Sequence, residues 1–166
     1  MEGLDQRERQ GRGERGDVTV VEFSVEVDAP PADVWAVASN PGNLPHWDRH
    51  ICEVRAPSEE LGPGSRYEVV MALMSIRTTV RAEVLEWEPP WRAKIQLDGP
   101  LEATVITSIA SLHDDRSILR HEVRYRFRGP LGGLAAASVN AVGGAHLALR
   151  RGVLAQKREI EERART

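Results

Sequence analysis

The segment from Arg116 to Phe127 alternates between two kinds of side chain with a period of two. Because successive side chains of a β-strand point to opposite faces, this pattern predicts a strand with one apolar and one solvated face. A sheet built from such strands needs another element to cover its apolar side. The apolar set is Ser117, Leu119, His121, Val123, Tyr125 and Phe127, and the polar set is Arg116, Arg120, Glu122, Arg124 and Arg126.

The covering element is predicted in the segment from Leu131 to about Ala164, which lacks proline and is rich in Ala, Leu, Arg and Glu. A helix of about 30 residues would span about 45 Å, more than a small domain needs. We therefore expect a kink at Gly143-Gly144. Residues at helical spacing predict its covered face: Ala135, Val139, Val142, His146, Leu149, Val153, Gln156 and Ile160.

The rest of the chain predicts further strands separated by turn signals. Asp17 to Val27 is rich in β-branched residues and alternates, which indicates a first strand. Turn signals such as Gly62-Pro63-Gly64 and Pro89-Pro90 divide the later strands into an antiparallel meander. These strands are predicted at about residues 49–56, 66–74, 76–87, 91–98, 102–112 and 116–127.

Two short helices are predicted between the first and second strands. Pro31 suits the first position of a helix, and Asn40 with Pro41 starts a second one that Pro45 should stop. Trp35 and Trp47 are expected to be packing anchors, with Trp47 reaching the rim of any pocket.

Composition limits the classes of function. A formal net charge of −3 argues against a nucleic-acid partner. The single cysteine, Cys52, forms neither an internal disulfide nor a thiolate zinc site and is expected to be a small buried hydrophobe in a cytoplasmic protein. Residues 1–17 are predicted to be a disordered tail before a single domain over 18–166. No apolar run predicts a signal peptide or a membrane span.

Three stretches, VEVDAPPADVWAVASNPGNLPHW, VLEWEPPWRAKIQL and YRFRGPLGGL, resemble the polyketide cyclase/dehydrase-like branch of the START-like (helix-grip, SRPBCC) superfamily. The resemblance implies an α+β helix-grip fold: a seven-stranded antiparallel sheet wrapped around a long C-terminal helix, with two short helices after the first strand. It also implies a cavity for apolar ligands. Members of this superfamily include aromatase/cyclases and lipid or sterol carriers, so the fold leaves the function open.

The residues favour an open pocket over a filled core. LGGLAAASVNAVGGA, in the first half of the predicted helix, is dominated by small residues, and the chain has only four Trp, two Tyr and two Phe to fill the space. On the fourth strand, Ile76, Thr78, Val80, Ala82 and Val84 are expected to point inward. The predicted ligand-binding residues are Trp47, Tyr67, Met71, Thr78, His121, Tyr125, Val142 and His146.

Three functions follow as hypotheses. The first is binding of a hydrophobic or aromatic small molecule between sheet and helix. The second is a polyketide cyclase, aromatase or dehydratase in which His121 or His146 is the base and a tyrosine hydroxyl the donor. A histidine among apolar residues also fits a purely structural role, and no inward arginine or carboxylate is predicted to orient the imidazole.

The third hypothesis is an interaction protein that uses the arginine-rich sheet face or a projecting helix end. This third hypothesis predicts a stable partner or a homodimer. The expected oligomeric state of the chain is a monomer or a homodimer. HWDRH, residues 46–50, alternates His, Asp and His but spans a helix-to-strand junction, so we expect neither a metal site nor a cofactor.

Overall fold

A computed structural model describes residues 18–56, 60–73, 75–129, Gly132 and 143–166. The predicted tail, residues 1–17, and most of the first half of the predicted C-terminal helix, including Val142, lie outside the described residues.

The strands form one antiparallel seven-stranded sheet, as predicted. Strands β2 to β7 follow each other as a meander, and β1 pairs with β7, which gives the order β1-β7-β6-β5-β4-β3-β2. The boundaries differ from the predicted ones by a few residues at most: β1 is Thr19–Val27, β2 Ile51–Arg55, β3 Arg66–Leu73, β4 Ile76–Glu88, β5 Arg92–Asp98, β6 Leu101–His113 and β7 Arg116–Phe127.

Two short helices follow β1, as predicted. Helix α1 is Pro31–Ala38, and a 3₁₀ turn, Pro41–Asn43, leads into α2, Leu44–Trp47. The Asn40 side chain caps the turn by accepting a hydrogen bond from the Gly42 N–H at 2.9 Å. The expectation that Pro45 stops the second helix is wrong: Pro45 lies in the first turn of α2, where its missing N–H removes no intrahelical bond.

The C-terminal helix, α3, is described over Gly144–Ala164 and begins at the predicted kink. Gly143 before it has φ 62°, in the left-handed region that glycine adopts without steric cost. The predicted face is buried at Val153, Gln156 and Ile160.

The second half of α3 packs at one end of the sheet in a group that we call the anchor cluster. The helix contributes two residues, and the rest come from α1, α2, three strands (β1, β6 and β7) and the loop between β1 and α1. Polar contacts hold the same region, since Trp47 Nε1 donates to Glu159 Oε2 at 2.7 Å and the Asp28 N–H to Glu161 Oε1 at 2.9 Å. The anchor cluster consists of Val27, Ala29, Val34, Val37, Trp47, Ile109, Leu119, Val153 and Ile160.

The outer sheet face carries the arginines of β7 in ion pairs. Arg120 pairs with Glu22 of β1, and Arg126 with Glu102 of β6. Such partly exposed pairs contribute little to stability, so the arginines are satisfied on a solvated surface.

Two residues lie where the sequence did not predict them. Cys52 is exposed on β2, not buried. Ile76 is 69% exposed because it begins β4 directly after the turn from β3, so the inward pattern starts only at Thr78.

We expect Gly143→Ala to lower the free energy of unfolding by about 1 kcal/mol, because an alanine at this left-handed position is strained although its Cβ has free space. Urea denaturation measures the change. Gly62→Ala, where a Cβ also meets nothing and φ is not positive, is the matched control and should not destabilise the chain. Equal stability of Gly143→Ala and the unmodified chain would contradict the prediction.

Candidate functional site

The inner face of the sheet carries a second apolar group, which we call the inner-face cluster. Its residues come from β3, β4, β6 and β7, and each is 9% exposed or less. Of the described residues of α3, the apolar residue that packs against it is Ala145. The cluster consists of Tyr67, Val69, Met71, Val80, Ala82, Val84, Leu101, Ala103 and Tyr125.

The strand register places the two tyrosines in one row across the sheet. Tyr67 pairs with Ala82, Ala82 with Leu97, Leu97 with Ala103, and Ala103 with Tyr125. The tyrosines are thus four strand steps apart, about 19 Å along the curled sheet. Because alanines flank the leucine between them, the middle of the row carries little side-chain volume.

Three buried polar side chains lie next to this surface. His121 of β7 faces Thr107 of β6, and Thr107 Oγ1 lies 2.9 Å from His121 Nδ1. Gln156 of α3 places its Oε1 2.8 Å from His121 Nε2. With the amide oxygen facing it, Nε2 carries the proton and donates, while Nδ1 accepts from the threonine hydroxyl. All donor and acceptor sites of the imidazole ring are therefore in use.

Burial disfavours the charged form of this histidine. It lowers the pKa of His121, and the hydrogen bond to Gln156 opposes that shift only in part. The ring is thus held neutral by a hydroxyl and an amide, and neither of these partners is a carboxylate or an arginine.

The sequence contained a signal for both partners. Gln156 is one of two polar residues, with His146, in a helix stripe that is otherwise apolar, and Thr107 occupies an inward position of the neighbouring strand. Thr107 could not be assigned to His121 before the strand register was known, and Gln156 could not be assigned before the packing of α3 on the sheet was known.

The polar group separates the two apolar clusters. Along β7, Leu119 on one side of His121 belongs to the anchor cluster, and Val123 on the other side packs against the inner-face cluster. The inner face therefore has two compartments, with α3 joined to the sheet at their boundary.

Both tryptophans are packing anchors, as expected, because Trp47 belongs to the anchor cluster and Trp35 packs against it. Trp47 is held by Glu159 and does not reach the inner-face cluster. Trp35 also packs edge-on against Trp87, with ring centroids 4.9 Å apart, and Trp87 packs against the inner-face cluster. The second tryptophan contact escaped prediction because Trp87 was not assigned a facing.

His146 is not on the covered face of the helix. It lies in the first turn of α3, is exposed, and meets Phe23 edge-on with ring centroids 6.3 Å apart. Helical spacing predicted a covered position for His146. The residue lies only two positions after Gly144, where the described helix begins, and its side chain is exposed there. The structure therefore does not bring His121 and His146 together.

The remaining predicted ligand-binding residues lie on the inner face. Tyr67, Met71 and Tyr125 belong to the inner-face cluster, and Thr78 is half-buried opposite Met71. Burial raises the pKa of Tyr67 to about 12. Burial also raises the pKa of Tyr125, against a smaller lowering by its hydrogen bond with Thr19.

The HWDRH stretch forms a local contact, with His50 Nδ1 2.9 Å from Asp48 Oδ1. His46 instead faces Glu159 at 3.8 Å. Within the described ranges no three His, Cys, Asp or Glu side chains are grouped so that they could hold a metal ion. No helix in the described part of the chain is long and apolar enough to cross a membrane.

A curled antiparallel sheet packed against a C-terminal helix, with two short helices after the first strand, defines the helix-grip class of proteins. Within that class, residues 18–161 match the family model described as polyketide cyclase/dehydrase and lipid transport. The chain belongs to this family. No curated protein matches the chain.

Solved structures share the fold at low sequence identity. A START superfamily protein from Mycobacterium smegmatis is 17% identical, with a TM-score of 0.65 over 86% of this chain and 97% of its own. The Zhui aromatase/cyclase from Streptomyces is 15% identical, with a TM-score of 0.67 over 90% and 94%. Norcoclaurine synthase from Thalictrum flavum is 13% identical, with a TM-score of 0.62 over 88% of each chain.

The buried histidine predicts a pH dependence of stability. In the unfolded chain His121 takes up a proton below about pH 6.5, whereas the folded protein resists protonation because its histidine pKa is lowered. The contribution is therefore complete above pH 6.5 and lost as the pH falls towards the folded pKa, with a slope of up to about 1.4 kcal/mol per pH unit. Urea denaturation at a series of pH values measures the slope.

His121→Gln should flatten this dependence between about pH 6.5 and 5, because the amide does not titrate. His113→Gln, which removes an exposed histidine from the end of β6, is the control and should keep the slope. An unchanged slope in a cooperatively folded His121→Gln variant would show that another group causes it.

Proposed function

We propose that the protein binds a small apolar or aromatic molecule on the inner-face cluster. The observation that carries the proposal is the division of the inner face. The second half of α3 is committed to the anchor cluster, while the inner-face cluster is an almost fully buried apolar face of the sheet with small residues at its centre. Ligand sites in proteins are largely apolar surfaces of this kind with a few polar groups.

The chemistry of the surface supports the same class of ligand. Its members are aliphatic or aromatic apart from the tyrosine hydroxyls, and Trp87 adds a further aromatic ring at the side. Removing apolar area from water stabilises a complex by about 25 cal/mol per Å² before the cost of association. An aromatic ligand would in addition meet tyrosine rings edge-on or offset.

The cyclase, aromatase or dehydratase alternative gains no support from the two histidines. A base must have a free nitrogen near the substrate, whereas both nitrogens of His121 are hydrogen-bonded and His146 is exposed next to Phe23. The likeness to an aromatase/cyclase concerns the fold. Binding is therefore the function that we propose.

Ala82→Leu should weaken binding of the neutral fluorophore N-phenylnaphthylamine by at least about tenfold, because the larger side chain fills the centre of the tyrosine row. Fluorescence titration measures the affinity. Arg81→Leu is the matched control: it places the same side chain one residue away on the exposed outer face and should leave affinity unchanged.

Urea denaturation verifies that both variants unfold cooperatively. If Ala82→Leu does not fold, Ala103→Val, a smaller change in the same row, takes its place with an expected loss of about threefold. The absence of binding to the unmodified protein, or equal affinities of the inner-face and outer-face variants, would contradict the proposal.

A further inference from the structure

We propose that the ligand is a neutral molecule with a hydrogen-bond acceptor, such as a ketone, aldehyde or ester, and that the Tyr67 hydroxyl donates to this acceptor. The inference rests on the proposed function, because it concerns the same inner-face cluster. It adds a polar requirement to a surface that is otherwise apolar.

The first support is the position of Tyr67. The residue is 8% exposed on β3, between Val69 and the start of the strand, and its ring belongs to the inner-face cluster. None of the hydrogen bonds among the described residues involves its hydroxyl, and burial is the cause of its pKa shift. Since no fully buried side-chain oxygen of the described residues lacks a partner, the Tyr67 hydroxyl keeps some contact with solvent, and a ligand acceptor can replace that contact with a hydrogen bond.

Two other polar side chains of the inner face, Tyr125 and Thr107, have partners. Tyr125 at the opposite end of the row is hydrogen-bonded with Thr19, and Thr107 is hydrogen-bonded with His121. Of the two tyrosines that end the row, Tyr67 is therefore the one whose hydroxyl has no hydrogen bond among the described residues. Its raised pKa of about 12 keeps it protonated at neutral pH, so it donates a hydrogen bond and does not act as an anion.

The second support is the distribution of charge. No member of the inner-face cluster is charged, and the charged neighbours of Ala82 on β4, Arg81 and Glu83, belong to the opposite face, where they pair with Asp98 and Arg66. A carboxylate bound here would lose its hydration without gaining a cation, which is strongly unfavourable. The surface therefore selects neutral ligands over acids.

Three naphthalene compounds of similar size test the inference by isothermal titration at neutral pH: methyl naphthyl ketone, ethylnaphthalene and the naphthoate anion. For the unmodified protein we expect the ketone to bind about tenfold more tightly than the hydrocarbon, and naphthoate to bind more weakly than both. Tyr67→Phe keeps the ring and removes the donor, so it should bring the ketone and the hydrocarbon to equal affinity.

Tyr125→Phe is the comparison variant, because it removes a hydroxyl that already has a partner, and it should keep the preference for the ketone. Binding of all three compounds with no preference for the ketone, or a preference that survives in Tyr67→Phe, overturns the inference while the proposed binding function stands. Tightest binding of naphthoate also overturns it. Failure of all three to bind would contradict the proposed function itself.

Discussion

The hydrogen bond between His121 and Gln156 joins α3 to the middle of β7, the strand next to the edge strand β1, and the arrangement of the inner face depends on it. The imidazole also engages Thr107, so one buried group links β6, β7 and α3. Satisfied polar networks in an apolar interior favour a single geometry, because any shift leaves a buried group unpaired. The helix can therefore neither slide along the sheet nor rotate without breaking this contact.

Because α3 is fixed at this point, the two apolar clusters have separate roles. The anchor cluster combines the helix face with α1, α2, three strands and the loop between β1 and α1, and Trp47 and Asp28 add hydrogen bonds to the helix. The inner-face cluster lies on the other side of His121 and is built mostly from strands. If the inner-face cluster binds a ligand as proposed, stability and binding depend on different residues, which allows the proposed binding surface to retain small side chains at its centre.

The sequence predicted the fold well because its signals are local. Alternation specified the strand faces, and proline, asparagine and glycine marked the turns and the start of α3. The site was predicted less well because its residues meet across strands. Tyr67 and Tyr125 were recognised as inward, but Thr107 as the partner of His121 depends on register. Trp47 is the expected packing anchor but does not reach the inner-face cluster, and His146 was misplaced. Facing within short or terminal helical turns is set by tertiary packing, which periodicity does not contain.

The most direct test of the account is methyl NMR of the full chain titrated with methyl naphthyl ketone. The account predicts chemical-shift changes at the methyl groups of the inner-face cluster, such as Val80, Ala82 and Ala103, with little change at Val153 and Ile160 of the anchor cluster. Changes confined to the anchor cluster or to the outer sheet face would contradict it, as would a titration that leaves every methyl group unchanged.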